Sequence, residues 1–175
     1  EIENTVLDWL VDLLGLPSSW RLDEGPGGGV IQMSASDSTH LSLAVARHQF
    51  ELTGADANSL VAYGSSQAHS SIEKGARVAG FKHIRSVPVT QTFGIDVDAF
   101  AKIVRDDIDS GLIPAWVCSA VGTTNTTAMD PIRAIAAIAS ENGMWHHADA
   151  AYAGSAMICP EFRELQDGVE LVDSY

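Results

Sequence analysis

Four short apolar runs, "LVAYG", "FKHIRSVPV", "IPAWVCSAV" and "MWHHADA", are separated by stretches whose apolar residues recur at helical spacing: His69 to Ala79, Val97 to Ile108 and Pro131 to Glu141. This alternation constrains the fold more than any other feature. Strands joined through helices run parallel, and a parallel sheet buries both faces under those helices. The expected fold class is therefore α/β, a mostly parallel sheet flanked by helices. Two further helices precede the first strand. Ile2, Val6, Leu10, Leu13 and Leu14 mark one from Ile2 to Leu16, stopped by Pro17. After the loop "DEGPGGG", Ser36 or a neighbouring serine can cap another from about Ser38 to Phe50. The closing "VELVDSY" reads as one more strand-like run. The chain is thus expected to be part of a larger domain, cut at both ends. No repeat or linker divides residues 1–175.

Charge narrows the function classes. Ten Lys and Arg stand against 23 Asp and Glu, a formal net charge of -13. That balance argues against nucleic acid and against an anionic membrane surface as partners. It leaves room for one local anion site. Cys118 and Cys159 are too few for a disulfide framework, so both are expected to be buried thiols in a reducing compartment. No apolar run approaches the ~20 residues of a membrane span, and "EIENTVLDWL" lacks the pattern of a signal peptide, so a cytoplasmic location is expected.

Chemistry in such a sheet gathers at loops that follow strand C-termini. "GPGGG" precedes rather than follows a clear strand, and no "GxxxxGK[ST]" occurs, so neither common nucleotide-phosphate motif is present. "SASDST" at a helix start offers N–H groups and hydroxyls to a phosphate, or caps the helix and nothing more. His69, in "VAYGSSQAHSS", can face a ligand or bond to nearby backbone. Thr123 and Thr124 open a polar loop after a strand, where turn chemistry is the alternative. His147 and Asp149 share a strand face, and with His146 they permit a metal site. Asp149 can equally cap a helix, while Ala150, Ala151, Ala153 and Gly154 leave room beside it for something flat.

Taken in order, "GGGVIQMSASDST", "QAHSSIEKGARVAGF", "VGTTNTTAMDPI" and "HADAAYAGSAMICPEFR" resemble the group II pyridoxal-phosphate-dependent decarboxylases. Among these the resemblance is greatest to aromatic L-amino-acid decarboxylases, including the tyrosine and tryptophan enzymes. It implies the large domain of a fold-type-I pyridoxal-phosphate enzyme, with a seven-stranded, mainly parallel sheet. The implied activity is loss of the carboxylate of an aromatic L-amino acid as carbon dioxide, leaving the amine. The implied cofactor is pyridoxal 5'-phosphate and the implied assembly a homodimer. By the same resemblance Ala35 and Ser36 hold the cofactor phosphate and Thr124 places a hydroxyl near it. His69 stacks on the pyridine ring and takes a catalytic part, Asp149 pairs with the ring nitrogen, and Ala151 packs against the ring. No metal is implied.

The chain also departs from the family pattern. The family's Schiff-base lysine follows the "DSY" equivalent, beyond Tyr175, and Lys74, Lys82 and Lys102 lie in segments that do not match it. The small C-terminal domain is also missing from residues 1–175. Met33 stands where the family often has Gly, and Asp37 where Glu is usual. Three alternatives stay open: an aldehyde synthase on the same scaffold, a non-catalytic truncated paralogue acting as a binding or oligomerisation module, and a metal-dependent hydrolase using His147 and Asp149.

Overall fold

The computed structural model describes all 175 residues. Helix α1 is Ile2–Leu14, ending where Gly15 takes a left-handed φ of 69° and its N–H turns back to the Asp12 carbonyl. Leu16, expected inside the helix, lies just beyond it. Helix α2 is Ala35–Leu52 and starts earlier than the apolar spacing suggests, because Ser34 rather than Ser36 is the cap. The Ser34 hydroxyl accepts the Asp37 N–H at 3.2 Å and donates to the Asp37 carboxylate at 2.8 Å.

Strands and helices then alternate: β1 (Leu60–Ser65), α3 (Ser71–Val78), β2 (His83–Val87), α4 (Val97–Asp109), β3 (Ile113–Ala120), α5 (Ile132–Glu141) and β4 (Trp145–Asp149). The sheet is wholly parallel in the order β2-β1-β3-β4. Four strands form here, against the seven that the resemblance implies for a whole domain. "VELVDSY" does not become a strand. Val169–Leu171 is a 3-10 turn, and the backbone pairing of the run with the outer edge of β4 is confined to an isolated parallel bridge between Ser174 and His147.

Side-chain parity sorts the core into two layers. Leu60 and Ala62 of β1 and Trp116 and Cys118 of β3 pack with Leu43 and Ala46 of α2 and Ile72 and Ala76 of α3. Gly75 allows this approach of α3 to α2, since a Cβ there would lie 3.1 Å from Leu43. On the other face Val61, Tyr63 and Val117 pack with Phe100 and Val104 of α4 and Ile135 and Ala139 of α5. Burying side chains of this size is worth roughly 1.5–3 kcal/mol each, which drives the helices onto the sheet. The polar groups that enter are partnered. The Trp116 indole donates to Ser42 Oγ at 3.2 Å. Tyr63 donates to Asp107 at 3.0 Å, and Arg85 grips the same carboxylate at 2.6 Å.

Proline in a central strand removes a ladder donor. Pro114 is accommodated by a bulge: Val61 pairs with Pro114 and Ala62 with Trp116, leaving Ala115 as the extra residue. β4 begins to pair only at Trp116, beyond the proline. Of the two cysteines, Cys118 is buried as expected but Cys159 is exposed, because it precedes a surface 3-10 turn, Pro160–Gln166, that does not enter the core. No helix is long and apolar enough to cross a membrane.

Candidate functional site

On the face covered by α2 and α3, the C-terminal ends of β1, β3 and β4 carry Gly64, Ala120 and Asp149. Ile72 of α3 covers Gly64, whereas the small Ala120 and the half-buried Asp149 leave the sheet end open between β3 and β4. A cavity of about 300 Å³ opens beside it, lined among others by Ser34, Ala35, Ser36, His69, Thr124, Asp149 and Ala151. The six positions that the family resemblance singles out, from four separate segments, therefore meet in one cavity.

Each side chain is presented by its local structure. With Ser34 as the cap, Ala35 and Ser36 occupy the first helical turn, where N–H groups have no acceptor within the helix. The Ser36 hydroxyl makes no hydrogen bond within the protein, so the first turn of α2 presents unspent donors. His69 precedes α3 instead of belonging to it. Its Nδ1 accepts the Ser71 N–H at 3.2 Å and lies 3.0 Å from Ser71 Oγ. With Nδ1 spent as an acceptor, the neutral ring carries its proton on Nε2.

Asp149 ends β4 opposite Ala120. Its Oδ1 accepts the Ala151 N–H at 3.1 Å, an Asx turn rather than the helix cap that was the structural alternative. No protein donor reaches its Oδ2.

The two threonines of "GTT" part company. Thr123 is buried and spends its hydroxyl inside the loop, 2.7 Å from Thr126 Oγ and accepting the Ala128 N–H at 3.2 Å. Thr124 is exposed on the cavity with no such partner. Gly122, at φ 84°, makes the turn between them and the strand. A Cβ there would meet the Tyr152 ring at 2.8 Å. Tyr152, Gly122, Ser34 and Ser71 also line the cavity. Ser34 belongs to the "SASDST" stretch that the sequence reading offered to a phosphate; Gly122, Ser71 and Tyr152 were passed over as site residues, although a glycine directly after a buried strand was a signal for Gly122.

The histidines beside Asp149 have other duties. His147 packs its ring 6.0 Å from the Trp116 ring and places Nδ1 2.9 Å from Ser174 Oγ. His146, of opposite parity, places Nε2 2.8 Å from Ser119 Oγ and leaves Nδ1 without a partner. Burial lowers both to a pKa of about 4, keeping them neutral at pH 7. The three residues do not converge on a common point in the way a metal site requires: no cluster of three or more His, Cys, Asp or Glu is placed to hold an ion. Lys74, Lys82 and Lys102 are all exposed, and none lines the cavity.

The chain is 46% identical to an aromatic-L-amino-acid decarboxylase of Catharanthus roseus, over 99% of its own length and 36% of that protein's. It is 42% identical to a phenylacetaldehyde synthase of Arabidopsis thaliana, over 100% of its length and 37% of the relative's. Its fold superposes on the crystal structure of Oryza sativa TDC with PLP and tryptamine with a TM-score of 0.93 at 42% identity, covering 98% of this chain and 37% of that one. The chain thus spans a little over a third of the length of the relatives it matches. The model of the pyridoxal-dependent decarboxylase conserved domain matches residues 1–175 from end to end, and the chain belongs to that family.

Proposed function

We propose that the cavity binds pyridoxal 5'-phosphate and that the whole protein decarboxylates an aromatic L-amino acid to its amine. The observation that carries this reading is the set of unspent polar groups in one cavity. The N–H groups of Ala35 and Ser36, with the Ser36 hydroxyl, suit a phosphate at a helix start. Asp149 offers one free carboxylate oxygen, Oδ2, to a ring nitrogen. Ala151 and Ala120 leave width for a flat ring, and Thr124 adds a hydroxyl. The residues present therefore fit the cofactor.

When bound, the cofactor supplies a ring that accepts the electrons of the broken Cα–carboxylate bond. Asp149 keeps a proton on the ring nitrogen, which makes that acceptance favourable. His69, fixed by Ser71, presents Nε2–H as a donor toward whatever the ring carries, and its imidazole adds a flat surface. We assign residues 1–175 to part of the cofactor-binding large domain. The lysine that attaches the cofactor and the small domain are assigned to other parts of the protein. A homodimer is the proposed assembly, and the exposed Ile2, Trp9 and Leu13 of α1 give it an apolar surface to use. A cytoplasmic setting is consistent with two free thiols.

The test uses full-length protein. Visible absorbance on adding pyridoxal phosphate, and amine released from tyrosine, tryptophan, phenylalanine and dihydroxyphenylalanine, are both expected. Both are expected to be lost in Asp149→Ala and weakened in Ser36→Ala; unchanged binding in both variants refutes the site. The similarity to a phenylacetaldehyde synthase keeps a second product in view. Aldehyde formed with oxygen uptake, in place of amine, would transfer the assignment to that chemistry.

A further inference from the structure

Asp130 is 5% exposed and has no cationic partner. Its carboxylate is divided between two segments that are distant in sequence. Oδ1 accepts the Ile95 N–H at 2.8 Å and Oδ2 accepts the Ala120 N–H at 2.7 Å. The Asp130 N–H in turn donates to the Ala120 carbonyl at 3.0 Å. One residue therefore holds Ala120 by both of its backbone groups. Ala120 is the last residue of β3, lies opposite Asp149 and lines the cavity. The next N–H, of Val121, donates to the Asp149 carbonyl at 2.8 Å.

The loop beyond, which carries Thr124, is braced mainly within itself. Besides the bonds of the Thr123 hydroxyl, the Thr123 N–H donates to Ala128 O and the Thr127 N–H to Thr123 O. Its position on the sheet is set where it leaves and returns, at Ala120 and Asp130. Burial lifts the Asp130 carboxyl to about 6, against the pull of its two N–H donors. A buried carboxylate is a costly way to fill space. Two backbone donors that converge from separate segments give it a different use.

We infer that Asp130 is a positioning residue for the cofactor cavity: by clamping Ala120 to Ile95 it sets where Thr124 and Asp149 stand. The inference rests on the reading of the cavity as a pyridoxal phosphate site. Asp130→Asn keeps the shape and one acceptor but turns a donor toward the second N–H. Asp107→Asn is the control, because Asp107 is also buried and bonded, to Tyr63 and Arg85, and does not line the cavity.

In full-length protein at neutral pH, Asp130→Asn is expected to raise the Kd for pyridoxal phosphate about tenfold and to change the visible circular dichroism of the bound cofactor. Asp107→Asn, whatever its loss of stability, is expected to stay within about twofold. In apo protein, amide exchange at Ala120 and through Gly122–Ala128 is expected to quicken in Asp130→Asn alone. Gly94→Ala reaches the same clamp while leaving the carboxylate chemically intact, since its methyl would meet the Met129 carbonyl oxygen at 2.8 Å. It is expected to weaken cofactor binding too, and it carries the test if Asp130→Asn does not fold. Equal Kd values in the Asp130 and Asp107 variants, or unchanged exchange in the loop, overturn the inference. Absence of cofactor binding by the unaltered protein overturns the reading of the cavity instead, a failure that the apo exchange separates from failure of the clamp.

Discussion

Acid should destabilise this protein through two buried histidines, and removing one of them should blunt the effect. His146 is 1% exposed and His147 4%, and burial lowers each to about 4 from the ordinary imidazole value of 6.5. The unfolded chain therefore takes up these protons first. Stability is full above about pH 6.5 and is lost as pH falls toward 4. Lowering from 6.5 to about 4, at about 1.4 kcal/mol for each tenfold change in proton affinity, is worth about 3 kcal/mol for each histidine. Asp130 works in the opposite sense. Its carboxyl is raised from 3.8 to about 6, so it returns about 3 kcal/mol as pH falls through that window. The net loss from these three groups by pH 4 is then about 3 kcal/mol, a large part of a domain's stability.

The perturbation is His146→Leu combined with Ser119→Ala, which removes the titrating ring and its hydroxyl partner together and leaves no orphaned polar atom. Replacing both members of a buried pair by apolar groups is close to neutral, so urea unfolding at pH 7.5 should differ by less than about 1 kcal/mol. At pH 4.5 the variant should be the more stable by about 2–3 kcal/mol. Parallel stability curves for the variant and the unaltered protein between pH 7.5 and 4.5 would refute the argument.

Two further substitutions probe the cavity wall. Gly122→Ala puts a methyl 2.8 Å from the Tyr152 ring in a backbone at φ 84°, and should cost about 1–2 kcal/mol in urea unfolding while weakening cofactor binding. Ser34→Ala removes the cap of α2 and should cost about 1 kcal/mol, with a parallel loss of pyridoxal phosphate affinity because the first turn frays; unchanged affinity would show that the turn is held by other contacts.

How far the sequence alone reaches can be judged at particular residues. The strands and helices from Leu60 onward are legible because each apolar run is bounded by turn residues and each helix shows a clean apolar stripe. Helix α2 starts earlier than its apolar pattern because several serines of "MSASDS" have cap chemistry. Only the three-residue spacing from Ser34 to Asp37 selects between them. "VELVDSY" misleads because a short apolar run is compatible with strand or with a tight turn until a pairing partner is known. Thr123 and Thr124 differ only in where the turn aims them, which composition does not encode. The six site positions come from ordered motifs matched to a family, and no single motif would have joined them. Asp130, in front of Pro131, reads as an ordinary helix start. Its two acceptor bonds reach Ile95 and Ala120, contacts that local pattern does not reveal.

What the fold contributes to the site is chiefly parity. In the register of β4, Asp149 and His147 face the α2 and α3 layer, while His146 faces the α4 and α5 layer. A slip of one residue would put the carboxylate into an apolar core and the Ala148 methyl at the cavity. The bulge at Ala115 performs the same setting for β3. Without that extra residue the later side chains of β3 would exchange faces relative to β1, and Trp116, which anchors Ser42 of α2 and stacks on His147, would leave the layer that closes the cavity. The large buried residues Leu60 and Trp116 lie in the earlier parts of their strands, and Ala120, at the C-terminal end of β3, is small and lines the cavity. The rigid part of the sheet thus fixes the orientation of a tip left open for a ligand. The polar groups at that tip are placed by backbone bonds rather than by surface ion pairs, so their arrangement should be insensitive to salt.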